Sequence, residues 1–275
     1  MGRSLRTGVR YLLLVAVAIV MVGPFLWMVS TSMMDEADIF RFPPRWLPPA
    51  FSLRNYRAIM DVLPLGRMLL NSFTIAVCAT VGQLLSCALA AYAFARMKFR
   101  GQSVLYFTLL ATMMIPPQVT MIPVFLIMRF LGLIDTLYAL IVPAFFGGAF
   151  GTFLLRQFFA TIPPELEDAA RIDGCGRFRI FWRIVLPLSR PALVTLALFT
   201  FMAYWNDLLG PVIYLSSVNR ATLTIGLANL QSGVLTTRYD LLMAGSVLSV
   251  LPILVLFVAG QRWFVRGIAM TGLRE

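Results

Sequence analysis

The sequence predicts an all-α integral membrane protein with six transmembrane helices and both termini on the cytoplasmic side. Three observations predict it. Of the 275 residues, 60 % are hydrophobic and only 13 % are charged, against about a quarter charged in an ordinary soluble domain. The apolar residues fall into six runs, each near the length of about 20 residues that crosses a hydrocarbon core. The basic residues gather at alternate ends of these runs, as the positive-inside rule requires. A net charge of +11 would fit nucleic-acid binding on a soluble chain. Here the cations flank apolar runs instead of lining one soluble face, so nucleic acid is excluded and membrane lipid is the expected surrounding.

The first run covers residues 11–31. It is longer than the apolar core of a signal peptide and lacks a small-x-small cleavage site, so it is expected to remain as a helix. An outer segment follows over 32–68, with the Pro-rich stretch FRFPPRWLPPAFS and then a short helix after Ser52. Proline-rich chain at a membrane exit marks an ordered loop or lid; docking of an external protein and a plain loop are both open. The second run is 69–95 and the third 104–130, with Pro116-Pro117 inside it. In the fourth, 137–159, Gly147 and Gly151 stand four apart, a spacing that places them on one helix face and lets two helices approach closely, within this chain or against a second one. The fifth and sixth runs are 192–215 and 241–264.

With the N-terminus inside, the inner segments hold Arg3, Arg6 and Arg10, then Arg96, Lys98 and Arg100, then Arg156, Arg171, Arg177, Arg179, Arg183 and Arg190, and finally Arg262, Arg266 and Arg274. The outer segments hold half of the twelve acids, including Asp35, Glu36, Asp38, Asp61 and Asp135. The charged loop at 160–190 therefore falls on the cytoplasmic side.

That loop is patterned. Pro163 and Pro164 suit a first helical turn, where a missing N–H costs nothing, and Glu165, Glu167 and Asp168 place negative charge at the positive end of the dipole. Gly174 offers a left-handed stop. The helix so bounded has about ten residues, too few to be stable alone in water, so it must dock on something. After Gly176, the residues Phe178, Phe181, Trp182 and Val185 recur at helical spacing between Arg177, Arg179 and Arg183, the pattern of an amphipathic helix at a membrane surface. Leu186-Pro187 and Pro191 end it.

In the fifth run, Tyr204-Trp205-Asn206-Asp207 interrupts an apolar helix and Gly210-Pro211 is expected to break it. Polar groups at membrane depth face a cavity or a partner. Trp205 lies about 20 Å along the helix from Ala192, in the outer half of the bilayer. Two readings stay open there: a sugar-stacking ring with a hydroxyl-binding Asn206, or an interfacial Trp beside a capping Asn. The three cysteines, Cys78, Cys87 and Cys175, have no metal-ligand spacing and there is no His, so no metal site is expected.

Asp168-Ala169-Ala170, three residues, Gly174, nine residues and Ile184-Val185-Leu186-Pro187 resemble the EAA loop of ABC-importer permeases, with Asp in place of the usual Glu. Along the rest of the chain, Asn71-Ser72-Phe73, the IPPQVTMIPVF stretch, Leu131-Gly132-Leu133 with Asp135-Thr136, Trp205-Asn206 before Gly210-Pro211, and QRWFVRG near the end are similar to the second, maltose-transporter-type permease of carbohydrate importers. The resemblance implies a type I ABC importer permease fold in a bacterial or archaeal plasma membrane. It implies a coupling helix that inserts into an ATP-hydrolysing subunit, with Glu167, Asp168, Ala169, Ala170, Asp173, Gly174, Ile184, Leu186 and Pro187 as the coupling residues. It further implies a second permease as heterodimer partner, two ATP-binding subunits carrying ATP and Mg, and an external solute-binding protein.

No G-x4-G-K-[ST] phosphate loop is present, so the chain is not expected to be an enzyme or to bind a cofactor itself. An ion-coupled carrier needs buried acids or His along its path, and only Asp207 is available. The expected path residues are Tyr204, Trp205, Asn206, Asp207 and Gln118. With no dense basic cluster inside a membrane run, a neutral sugar fits best; glycerol-phosphate or polyol-type solutes are the alternative.

Overall fold

The computed structural model describes residues 2–231 and 238–271, with side chains over 7–231 and 238–261. Arg274 lies outside the described residues, as do the side chains of Arg3, Arg6, Arg262 and Arg266 and of the rest of the stretch 262–267. The described residues contain helices and no strand. In order these are α1 (Gly2–Thr31), α2 (Glu36–Ile39), α3 (Arg54–Val62), α4 (Leu65–Arg96), α5 (Gln102–Ala111), α6 (Pro117–Phe130), α7 (Tyr138–Ile141), α8 (Ala149–Thr161), α9 (Pro164–Ile172), α10 (Arg177–Ile180), α11 (Leu186–Leu188), α12 (Arg190–Trp205), α13 (Leu209–Tyr214), α14 (Leu223–Gln231) and α15 (Tyr239–Thr271).

Three helical segments are long and apolar enough to cross a membrane unaided: Thr7–Thr31, Leu65–Arg96 and Tyr239–Gln261. The first is apolar over most of its length and none of its most apolar stretch is buried by the other described residues, so lipid or a partner must cover it. The other runs are bent pairs, and in the fourth and fifth the structure corrects two readings. The third run is not one straight helix: Gln102–Met114 and Pro117–Phe130 meet at 105°. Ile115 and Pro116 each precede a proline and are forced extended, with ψ of 116° and 135°.

The fourth run bends by 41° because Gly147, at φ 85°, ends one helix before Gly148 starts the next. Gly147 and Gly151 therefore do not share a helix face. The close approach is made by Gly148 and Gly151 instead. A Cβ on Gly148 would stand 2.8 Å from Gln83 Nε2, and one on Gly151 would stand 2.8 Å from Cys87 Sγ and 3.0 Å from Leu196. These glycines pack α8 against its own chain.

The fifth run ends at Trp205, before Gly210-Pro211 is reached. Gly210 and Pro211 lie in the first turn of α13, where proline's missing N–H leaves no bond unmade.

The chain divides into two compact units, residues 1–66 with 225–252 and residues 67–224 with 253–275. In the first, the outer segment is pinned in place. Buried Asn55 donates to the carbonyls of Ser32 and Met34 at 3.0 and 2.8 Å, Ser30 donates to the Trp46 carbonyl at 2.6 Å, and the Trp27 and Trp46 rings meet edge-on at 5.0 Å. In the second, the core is a cluster of Cys87, Ala91, Tyr92, Leu155, Phe159, Ile180, Phe181, Val185 and Leu196 with their neighbours. The turn before α7 is tied to the end of α13: Asp135, in the left-handed region at φ 57°, donates its N–H to the Tyr214 carbonyl at 2.8 Å. Its carboxylate accepts the Ser217 hydroxyl and the N–H groups of Ser217 and Ser216. Those donors hold its pKa down at about 2.

Candidate functional site

Helix α9 is built as its local chemistry dictates. Pro163 stands at the N-cap, Pro164 opens the helix, and Glu165 and Glu167 lie in the first turn. At the other end Gly174 takes φ 77°. The Gly174 N–H bonds to the Arg171 carbonyl at 3.0 Å and the Cys175 N–H to the Ala170 carbonyl at 2.8 Å, the paired closure of a Schellman stop.

The nine residues dock through one narrow face. Ala170 enters the core cluster, and the Glu167 side chain is only 3 % exposed. Its carboxylate meets Arg96 Nε at 3.1 Å in an ion pair whose N–H is not aimed for a hydrogen bond. It also accepts from the Tyr92 hydroxyl and from Arg171, both at 3.4 Å. Arg96, at the end of α4, donates from Nη2 to the carbonyls of Phe159 and Ile162. One guanidinium thus joins α4, the end of α8 and α9. Sequence reading gave Glu167 a place in the coupling group but not this anchor.

The opposite face is exposed. Pro164, Glu165, Leu166, Asp168, Ala169, Ile172 and Asp173 are exposed, Ile172 at 87 %. Asp168 pairs with Arg171 at 2.7 Å. The helix after Gly176 corrects the expected stripe. Phe181 and Val185 are buried with Ile180, whereas Phe178 and Trp182 are exposed. The segment Phe181–Val185 is π-helical, which shifts the register by part of a turn and moves Ile180 into the position the simple spacing gave to Phe178. Ile184 and Leu186 are half-buried and Pro187 is exposed. A break at Ser189 then turns the chain by 79° into α12.

The polar stretch at the end of α12 is largely spent within the chain. Trp205 is 2 % exposed and stacks on Phe201 with centroids 5.6 Å apart and planes 15° from parallel. It is therefore neither an interfacial ring nor one open to a solute in this conformation. Asn206 donates back to the Met202 carbonyl at 2.9 Å, closing the helix. Asp207 Oδ1 accepts the Gly210 N–H at 3.2 Å, starting α13. Tyr204 is half-buried, and Gln118 is exposed in the first turn of α6; no hydrogen bond or ring contact among the described residues joins it to the others. One turn back along α12 lies a cavity of about 370 Å³ lined by Gln83, Phe150, Leu196, Phe199, Thr200 and Ala203. Gln83 was the sequence's only signal for it, a polar side chain midway along an apolar run.

Residues 82–270 match the family described as binding-protein-dependent transport system inner membrane component. The sn-glycerol-3-phosphate transport system permease protein UgpE of Yersinia pestis is 34 % identical over 265 residues, 94 % of this chain and 93 % of that one. The arabinooligosaccharides transport system permease protein AraQ of Halalkalibacterium halodurans is 38 % identical over 204 residues, 74 % of this chain and 72 % of that one. Among solved structures, a chain of a bacterial ABC transporter involved in the import of the acidic polysaccharide alginate superposes with a TM-score of 0.83 at 26 % identity, covering 95 % of this chain and 98 % of its own.

Proposed function

We propose a function from one premise: the chain belongs to the family of binding-protein-dependent transport system inner membrane components. It is a permease of an ABC importer with a type I fold, and ATP hydrolysis belongs to separate subunits. In our reading each bent pair makes one span, giving six crossings with both termini in the cytoplasm and α9 on the ATP side. The partners are a second permease, two ATP-binding subunits carrying ATP and Mg, and an external solute-binding protein.

The observation that carries this reading is α9, anchored by a buried acid on one face and left uncovered on the other. Ala169 keeps the open face thin, so a groove can close on it, while Leu166 and Ile172 supply apolar contact and Asp168 a charge at the rim. Gly174 and Asp173 fix where the helix stops; Ile184, Leu186 and Pro187 fix the return to α12.

For the solute, we infer a sugar or short oligosaccharide. The cavity on α12 offers hydroxyl-matching groups at Gln83 and Thr200 and ring faces at Phe150 and Phe199, without a charge in its wall. Tyr204, Asn206, Asp207 and Gln118 are assigned to the path beyond it, and Trp205 to the packing that supports them. Glycerol phosphate is the second reading, favoured by the 34 % identical relative. A strain deleted for this chain and restored with it, given neutral oligosaccharides or glycerol 3-phosphate, separates the two. Sugar uptake is expected, slowed about fivefold by Gln83→Ala for a contact worth about 1 kcal/mol. Uptake of glycerol 3-phosphate alone would replace the sugar reading.

A further inference from the structure

A second cavity of about 370 Å³ lies between the end of α4, the start of α5 and α8, near the Arg96 anchor but lined by other side chains. Phe94, Gln102, Ser103, Tyr106, Phe107 and Arg156 line it. Arg156 is held in one orientation: its Nε donates to the Phe94 carbonyl at 3.3 Å, and its guanidinium carbon stands 4.2 Å over the Tyr106 ring. Gln102 donates to the same carbonyl at 2.9 Å. Among the described residues no carboxylate forms an ion pair with Arg156. Tyr106 is 8 % exposed, and its buried hydroxyl has no hydrogen-bond partner among the described residues.

The first turn of α5 adds to this. Gln102 and Ser103 open that helix behind Gly101, with no side chain capping it, so the positive end of the dipole faces the same region. Lys98 and Arg100 precede it in the turn. A fixed cation without a carboxylate partner and an uncapped helix start at one cavity together form a site for an anion with hydrogen-bonding oxygens.

The source of that anion follows from what surrounds the opening. Val104, Leu105 and Phe107 on the same helix are 69 %, 55 % and 68 % exposed, an apolar surface suited to acyl chains and hostile to a free ion. We propose that this cavity binds the headgroup of an anionic phospholipid, its phosphate on Arg156 and the first turn of α5, its apolar part along Phe107 and Val104. Basic pockets between membrane helices bind lipid headgroups in this manner. Assignment to the cytoplasmic leaflet rests on the sidedness proposed above; the binding itself does not.

The test is native mass spectrometry of the assembled transporter, purified and titrated with short-chain phosphatidylglycerol or phosphatidylcholine. The wild type is expected to retain one phosphatidylglycerol in preference to phosphatidylcholine. Arg156→Gln and Ser103→Glu are each expected to weaken that binding about tenfold. Ser103→Glu introduces a repelling charge at an exposed position and leaves Arg156 and its contacts in place, so a folding defect in the first variant does not decide the outcome. Equal retention of the two lipids, or unchanged binding in Ser103→Glu, would overturn the proposal. Displacement of the lipid by millimolar inorganic phosphate would assign the cavity to a soluble anion and overturn the lipid source. Because lipid retention is read without transport, its failure beside normal uptake would leave the permease function standing.

Discussion

Two polar interruptions of this apolar chain are held in opposite ways. At α9, charge does the holding: Glu167 is buried against Arg96, Arg171 and Tyr92, and the backbone closes on Gly174. At the end of α12, rings do the holding. Trp205 lies flat on Phe201, while Asn206 and Asp207 spend their polar groups ending one helix and starting the next. The consequence for function is a contrast in what remains free. One face of α9 is exposed and, apart from the Asp168–Arg171 pair, open to a partner, whereas near Trp205 the Asn206 amide N–H and one Asp207 oxygen are already used. Polarity in an apolar chain therefore marks a functional surface only where its groups are not consumed locally.

The largest expected effect probes the charged anchor. Arg96→Ala leaves Glu167, at 3 % exposure, with only the 3.4 Å contacts of Arg171 and Tyr92 and is expected to cost about 3 kcal/mol, read as a lowered unfolding temperature of the purified transporter. The double variant with Glu167→Ala should recover much of that loss, since both charges then leave together. A single-variant loss that the double variant does not reduce would mean the pair does not hold α9.

The ring-held region should respond differently. Trp205→Ala is expected to cost on the order of 3 kcal/mol through lost packing while leaving the relative rates for competing solutes unchanged. A changed solute preference at wild-type stability would return Trp205 to the path and erase the contrast.

Smaller is the effect of Gly174→Ala. A Cβ at φ 77° costs about 1 kcal/mol, and nothing lies within 4 Å of it, so the loss is conformational. It should appear as faster amide exchange at Gly174 and Cys175, with the rest of the core unaffected.

The weakest effect is a pH dependence at the turn before α7. The Asp135 carboxylate has its folded pKa lowered to about 2 from an ordinary 3.8. Its contribution is therefore fully present above pH 4 and is lost as the pH falls through about 2. Amide exchange at Ser216 and Ser217 should accelerate across that window, and Asp135→Asn should remove the acid-induced change.

The ends of α9 were legible because capping is local: Pro163, Pro164, Glu165 and Gly174 carry their own instructions. The anchor was not, since Arg96 lies in another apolar run and no spacing rule links it to Glu167. Tertiary geometry also decided the glycines. Gly147 and Gly151 have the spacing of a helix face, but a left-handed residue between two segments cancels helical periodicity. The Phe178–Val185 stripe failed for a related reason, because a π-helical turn changes the period on which the spacing relied. Pro116-Pro117 stood in the sequence only as two prolines inside an apolar run, and the 105° turn reflects two consecutive extended residues. Near Gly210-Pro211 the break came earlier, because Asn206 and Asp207 favour helix ends.

The central claim is that the uncovered face of α9 receives an ATP-hydrolysing subunit. It is tested most directly by purifying the transporter with Ala169→Trp, which thickens that face at an exposed position and leaves the Glu167 anchor untouched. The account predicts that the permeases stay folded together while ATPase subunits are lost, or remain without stimulation by solute-loaded binding protein, and that uptake stops. A full complement of ATPase subunits, stimulated normally and with uptake at the wild-type rate, would contradict it.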